Sequence, residues 1–255
     1  MIFESHAHYN DEAFNEDRDV LLSSMKENNI GSIINVSSDL KSVEETISLT
    51  RKYDFIYGAV GIHPSDTVEL TENSFIWLRE QAACEKIAAI GEIGLDYYWP
   101  EPDHDCQKKW FLRQLDMALE LHKPVIIHSR DAAADTLAVL KQPEYKTLRG
   151  VIHCYSYTKE MAKEYEKLGF YFGIGGVVTF QNARKLVETV EYLPLDKILL
   201  ETDSPYLAPV PNRGKRNSSL NIPLIAEKIA DIKQIPYDKV VAQTEQNAKV
   251  LFGLQ

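Results

Sequence analysis

Short apolar runs rich in Val, Ile and aromatic residues recur along the whole chain, at 2–8 (IFESHAH), 32–38, 55–63, 87–96, 124–129, 150–156, 170–176 and 197–206. Runs of this length and composition predict buried strands. Between them, segments such as DVLLSSMKENN, SFIWLREQAACEK, QKKWFLRQLDMALELH and KEMAKEYEKLG place apolar residues three and four apart, the spacing of a helix with one buried face. Strand and helix alternate at roughly 30 residues per unit, the length of a βαβ module, so the strands run parallel. Strands this apolar need cover on both faces. Eight such units predict an α/β fold of the (β/α)8 TIM-barrel type, spanning 1–255 as a single domain. An open, doubly wound sheet is the rival arrangement, but no glycine-rich phosphate-binding signature follows the first strand. PNRGKRNSS at 211–219 is the most loop-like stretch, and IPLIAEKIADIK after it reads as a further helix.

Composition narrows the class. The 255 residues are 44% apolar and 26% charged, which supplies a sizeable core and excludes a disordered chain. With 38 acidic against 28 basic residues the formal charge is -10, so a broad basic face for nucleic acid is excluded and a polyanionic substrate needs a local countercharge. Cys84, Cys106 and Cys154 are too few and too widely spaced for a disulfide framework, which points to a reducing compartment. Neither a leader pattern nor a long apolar stretch is visible, so the expectation is a soluble, cytoplasmic protein without membrane contact, with a monomer favoured.

Candidate chemistry concentrates at the predicted strand ends. His6, His8, His63, Glu92, Asp96, His128, His153, Glu201 and Asp203 all fall there, including five of the seven histidines. In a parallel barrel every strand end points to one rim, so residues distant in sequence converge. His6 and His8, two apart on one strand, face the same way and can share a cation. Adding Glu92, His128, His153 and Asp203 gives four imidazoles and two carboxylates, donors suited to Zn, Mn or Mg. Six donors exceed one open tetrahedral site and match two divalent ions, with Glu92 the candidate bridge.

These residues carry a resemblance. ESHAH, GIHP, GEIGLDYY, IIHSR, HCYS, ETDSPYL and RGKRN, in this order, closely resemble the TatD family of metal-dependent deoxyribonucleases in the amidohydrolase superfamily, over essentially the whole chain. The resemblance implies a TIM barrel, a divalent metal site on the same six residues, and hydrolytic, usually DNA-directed activity. Two departures stand out. The residue two before the first histidine is usually Asp in such proteins and is Glu4 here, and RGKRN is followed by Ser218–Ser219 in place of the usual Glu-Pro.

The resulting expectation is hydrolysis of DNA phosphodiester bonds by metal-activated water, as 3′–5′ trimming of single-stranded ends bound transiently. The alternative is an amidohydrolase or phosphoesterase acting on a small molecule in the same two-metal site. Asp203 is expected to orient or deprotonate the attacking water, alongside Glu92 and His63 as catalytic residues. His63 is assigned to gripping a substrate phosphate or the leaving oxygen, with a structural role as the alternative. Arg130, Lys215 and Arg216 are the candidate phosphate contacts, a solvated loop being the plain alternative for the last two. Glu201 is expected to orient a ligand imidazole. Tyr97, Tyr98 and Trp99 are read chiefly as packing, and Cys154, pointing away from His153, is set aside as a nucleophile.

Overall fold

Each apolar run becomes a strand followed by helix. The structure, a computed structural model, describes residues 1–254. Its strands are β1 (Ile2–Ala7), β2 (Ile30–Val36), β3 (Ile56–Val60), β4 (Ile87–Asp96), β5 (Val125–Arg130), β6 (Gly150–Ile152), β7 (Tyr171–Ile174) and β8 (Ile198–Leu200). The helices are α1 (Arg18–Ser23), α2 (Leu40–Lys52), α3 (Glu72–Ala82), α4 (His104–Glu120), α5 (Ala133–Leu140), α6 (Lys159–Lys167), α7 (Arg184–Tyr192), α8 (Ile222–Lys233) and α9 (Tyr237–Phe252). Asp39, Thr71, Asp103 and Thr158 accept the first free backbone N–H groups of α2, α3, α4 and α6, so four of the strand-to-helix turns end on a capping side chain.

The strands pair in parallel in sequence order, β1 through β8. Closure falls just beyond β8: Asp203 N donates to His6 O at 3.0 Å and His8 N to Ser204 O at 2.7 Å. The result is a (β/α)8 TIM barrel. Ile126, Val151 and Leu199 lie two residues before His128, His153 and Glu201, so strand alternation sends them into the barrel beneath those groups. They join Phe3, Ile34, Ala59 and Ala89 in one buried cluster, sealed from below by Ala248, Leu251 and Phe252 of α9. Phe3 and Phe252 stack at 5.9 Å between ring centroids. A larger cluster fills the layer between strands and helices.

Two predicted strands fall furthest short of their apolar runs. Runs 150–156 and 197–206 leave the ladder after Ile152 and Leu200. Cys154 and Asp203 have φ of 44° and 59°. Non-glycine residues enter this left-handed region only when the surroundings hold them there, and here the turn carries His153 and Asp203 off the ladder and over the barrel mouth. Gly94 has φ of 148°, and a Cβ there would lie 1.9 Å from His128 O, so β4 can run this close to β5 only with glycine at that position. No helix among the described residues is long and apolar enough to cross a membrane.

Candidate metal centre

The C-terminal ends of the strands surround a cavity of ≈ 550 Å³ lined by His8, His63, Glu92, Asp96, His128, Arg130, His153 and Asp203, together with Asp11, Asp66, Trp99 and Tyr206. His6 lies just beneath it, fully buried. The six residues expected as metal ligands are therefore brought together. Their donors divide around one carboxylate. Glu92 Oε2 lies 3.4 Å from His6 Nε2 and 3.8 Å from His8 Nε2. Asp203 Oδ1 lies 3.6 and 3.4 Å from the same two nitrogens. The other oxygen, Glu92 Oε1, is 2.6 Å from His128 Nδ1, 2.9 Å from His153 Nε2 and 3.9 Å from His63 Nε2.

The donor set fits divalent cations. Ligand atoms held at about 2.0–2.2 Å from one tetrahedral ion are roughly 3.3–3.6 Å apart, close to the spacing of the His6, His8, Glu92 and Asp203 atoms. His6 Nε2 and His8 Nε2 approach to 3.0 Å, both aimed at the same point. His8 Nδ1 donates to Val36 O at 2.8 Å, which leaves Nε2 as its free lone pair. His6 Nδ1, His153 Nδ1 and Glu201 Oε2 are also buried without a hydrogen-bond partner, the two ring nitrogens being other than the Nε2 atoms that face Glu92.

Charge is arranged to match. Burial alone would raise Glu92, yet the imidazoles of His153 and His128 hold it well below the usual carboxylate range. Asp203 is likewise held down, against burial, by His8, His153 and His6. Burial would lower His153, but Glu92 and Glu201 push it well above its ordinary value, and Asp96 and Glu92, against burial, raise His128. The cluster therefore keeps its carboxylates ionised and draws positive charge to itself.

Supporting residues fix these rings. Asp96 Oδ2 lies 3.0 Å from His128 Nε2, so His128 is held between two carboxylates. Glu201 accepts from Cys154 N at 2.5 Å and lies 3.5 Å from His153 Nδ1, the orienting position expected of it. A Cβ at Gly173 on β7 would sit 2.0 Å from Glu201 Oε2, so the glycine clears the space for this carboxylate. The sequence placed Asp96 at the rim without giving it a task.

His63 also reaches the cluster. Its Nδ1 accepts from Ser65 N at 3.1 Å, and burial with the neighbouring His128 lowers its pKa to about 3. That assigns a neutral ring with its proton on Nε2, directed into the cavity as a donor. Arg130 lines the cavity rim. Lys215 and Arg216 lie outside its lining. Arg216 is turned outward because Asp17 accepts two of its N–H groups at 2.6 and 2.7 Å and Ala13 O accepts a third. Asn217, given no role from sequence, is buried in that loop, donating to Thr202 O and Tyr206 O.

The two departures noted in the sequence touch each other. Glu4 is fully buried, and Ser219 Oγ donates to Glu4 Oε2 at 2.9 Å. Thr202 Oγ1 donates to the same oxygen at 2.7 Å, while His6 N and Thr202 N donate to Oε1. Ser219 N donates to Tyr9 Oη at 2.9 Å. Glu4 thus ties the strand carrying His6 and His8 to the loop carrying Asp203.

A parallel eight-stranded barrel with this histidine and carboxylate cluster at its C-terminal rim defines a metal-dependent hydrolase of the TIM-barrel type. The chain belongs to the TatD-related DNase family, whose model matches residues 3–253. It is 40% identical to the uncharacterized metal-dependent hydrolase YabD of Bacillus subtilis, over 100% of both chains. It is 31% identical to the 3′-5′ ssDNA/RNA exonuclease TatD of Shigella flexneri, over 94% of this chain and 95% of that one. Among solved structures, YJJV, a TatD homologue from Escherichia coli, superposes with a TM-score of 0.93 at 26% identity, covering 100% of this chain and 98% of that chain.

Proposed function

We propose that the protein is a phosphodiesterase that trims single-stranded DNA from its 3′ end, using two divalent ions, Zn, Mg or Mn, held by His6, His8, Glu92, His128, His153 and Asp203. One observation carries this reading: the two oxygens of Glu92 face two separate donor sets, so this carboxylate could serve two cations, one on each side. Bound cations of this kind lower the pKa of a water toward about 7 and polarise a phosphoryl oxygen. Asp203, at the mouth, accepts the proton of the attacking water and holds its orientation. The neutral His63 ring would offer its Nε2–H as a hydrogen bond to a phosphoryl or leaving oxygen, and Arg130 would meet a phosphate at the rim. Asp96 and Glu201 keep the His128 and His153 rings in place. The relative named as a 3′-5′ ssDNA/RNA exonuclease supports the substrate class.

A second reading, hydrolysis of a small amide or phosphoester in the same site, is favoured by the carboxylates Asp11, Asp66 and Asp96, which also line the cavity and disfavour a polyanion. One assay separates the two: labelled single- and double-stranded DNA and a panel of small amides and phosphoesters, each with Mg, Mn, Zn or chelator. Metal-dependent DNA shortening that is lost in His128→Ala is the expected result, and turnover of small substrates alone overturns it. Asp203→Asn is expected to abolish turnover while retaining part of the bound metal. Undiminished activity in that variant overturns its role.

A further inference from the structure

We propose that Trp99, with the stacked pair Tyr98 and Arg130, forms a subsite for one unpaired base of the substrate, set at a fixed distance from the metal centre; the proposal rests on the nuclease reading above. Packing does not account for these aromatics. Tyr98 and Trp99 are 52% and 53% exposed, where large rings are ordinarily mostly buried. Their rings meet edge to face, 4.8 Å between centroids at 90°, and Trp99 lines the cavity. The Arg130 guanidinium lies 3.7 Å from the Tyr98 ring centroid, a cation–π stack that holds a flat, positively charged surface at the rim.

The subsite is wired to the cluster through one carboxylate. Asp96 Oδ1 accepts from Tyr98 N at 3.0 Å, while Asp96 Oδ2 contacts His128 Nε2 at 3.0 Å. Tyr97 N donates to Arg130 O at 2.9 Å, which joins the two strand ends that present the platform. A base seated there stands in register with the bond at the metal centre.

Charge favours stacking over a basic groove. Arg130 is the only lysine or arginine among the described residues that line the cavity, against Asp11, Asp66, Glu92, Asp96 and Asp203. Affinity therefore comes from a base on an aromatic face and from very few phosphate contacts. One phosphate contact gives a slope of about −0.7 in log K against log salt for single strands.

The test uses the full-length, metal-loaded protein and two oligodeoxynucleotides that differ only in having a base or an abasic residue at the 3′ end. The wild type is expected to favour the base-bearing end by roughly 5- to 150-fold in kcat/KM, the equivalent of one base–aromatic stack. Trp99→Ala should bring that ratio toward one, Trp99→Phe should restore it, and Arg130→Gln should flatten the salt slope by about 0.7. A ratio unchanged in Trp99→Ala, with DNA still cut, overturns the subsite and leaves the nuclease reading standing. Quenching of Trp99 fluorescence by a dinucleotide, read against Trp99→Phe, is the second measurement. Quenching without DNA cleavage keeps the subsite and overturns the nuclease reading, and absence of both overturns the two together.

Discussion

The two walls of the cavity use the same residue types in opposite ways. On the side of β1 and β8, His6 and His8 stand on a buried layer in which Glu4, Thr202, Ser204, Ser219 and Tyr9 satisfy one another. On the side of β4 and β5, Glu92, Asp96 and His128 lead outward to Tyr98, Trp99 and Arg130, which end in solvent. The first wall is closed on itself and can hold donor atoms to a fraction of an ångström. The second is left unfinished, with aromatic faces and a charge directed outward. Rigidity and recognition have been assigned to different strands of one barrel, which is how a cluster can be preorganised while its rim still adapts to a ligand.

Glu92 is shared by both walls, so changing it gives the largest break. Glu92→Gln is expected to remove bound metal from both donor sets and to lower turnover by more than the roughly 100-fold typical of outer supporting residues. Metal content by elemental analysis checks this, and retention of a full complement of metal would sink the bridging role.

Glu4 probes the closed wall alone. Glu4→Asp withdraws the carboxyl by one methylene and strands Thr202 and Ser219 donors in the interior, at about 1–3 kcal/mol for each group left unpaired. Ser219→Ala is expected to cost about 1 kcal/mol in the wild type and almost nothing in Glu4→Asp. Denaturant melts of the four proteins measure the coupling, and additive losses would show that the two positions act separately.

The smallest expected effect lies at the mouth. Burial, with the nearby charges of Asp39, Glu69 and Glu92, raises the pKa of Asp66 from 3.8 to about 6. Its carboxyl binds a proton more tightly in the folded chain than in the unfolded one. The stability this contributes is fully present below 3.8 and is lost as pH rises to about 6. Asp66→Asn should therefore flatten the dependence of Tm on pH through that window, and an unchanged profile would remove Asp66 as its source.

Much of this was legible in the sequence because polar residues inside apolar runs have few places to go. Histidines and acids at the ends of eight buried strands can face only the barrel mouth, and six of them do meet there. What stayed hidden depends on contacts across the chain. Arg216 looked free until Asp17, 199 residues away, claimed its donors. The Glu4 and Ser219 substitutions looked unrelated until a hydrogen bond spanning 215 residues joined them. Tyr98 and Trp99 read as packing because composition cannot tell a buried ring from a presented one.

The sealed floor has a consequence for traffic. Ala248, Leu251 and Phe252 of α9 close the barrel beneath the cluster, so no passage leads out through the floor. Whatever enters must leave by the same route, and no polymer can be threaded through. Reactant and product share that doorway, and each product must clear it before the next reactant can occupy the centre. Product held there competes directly with incoming substrate, and departure rather than bond breaking can then set the pace of turnover.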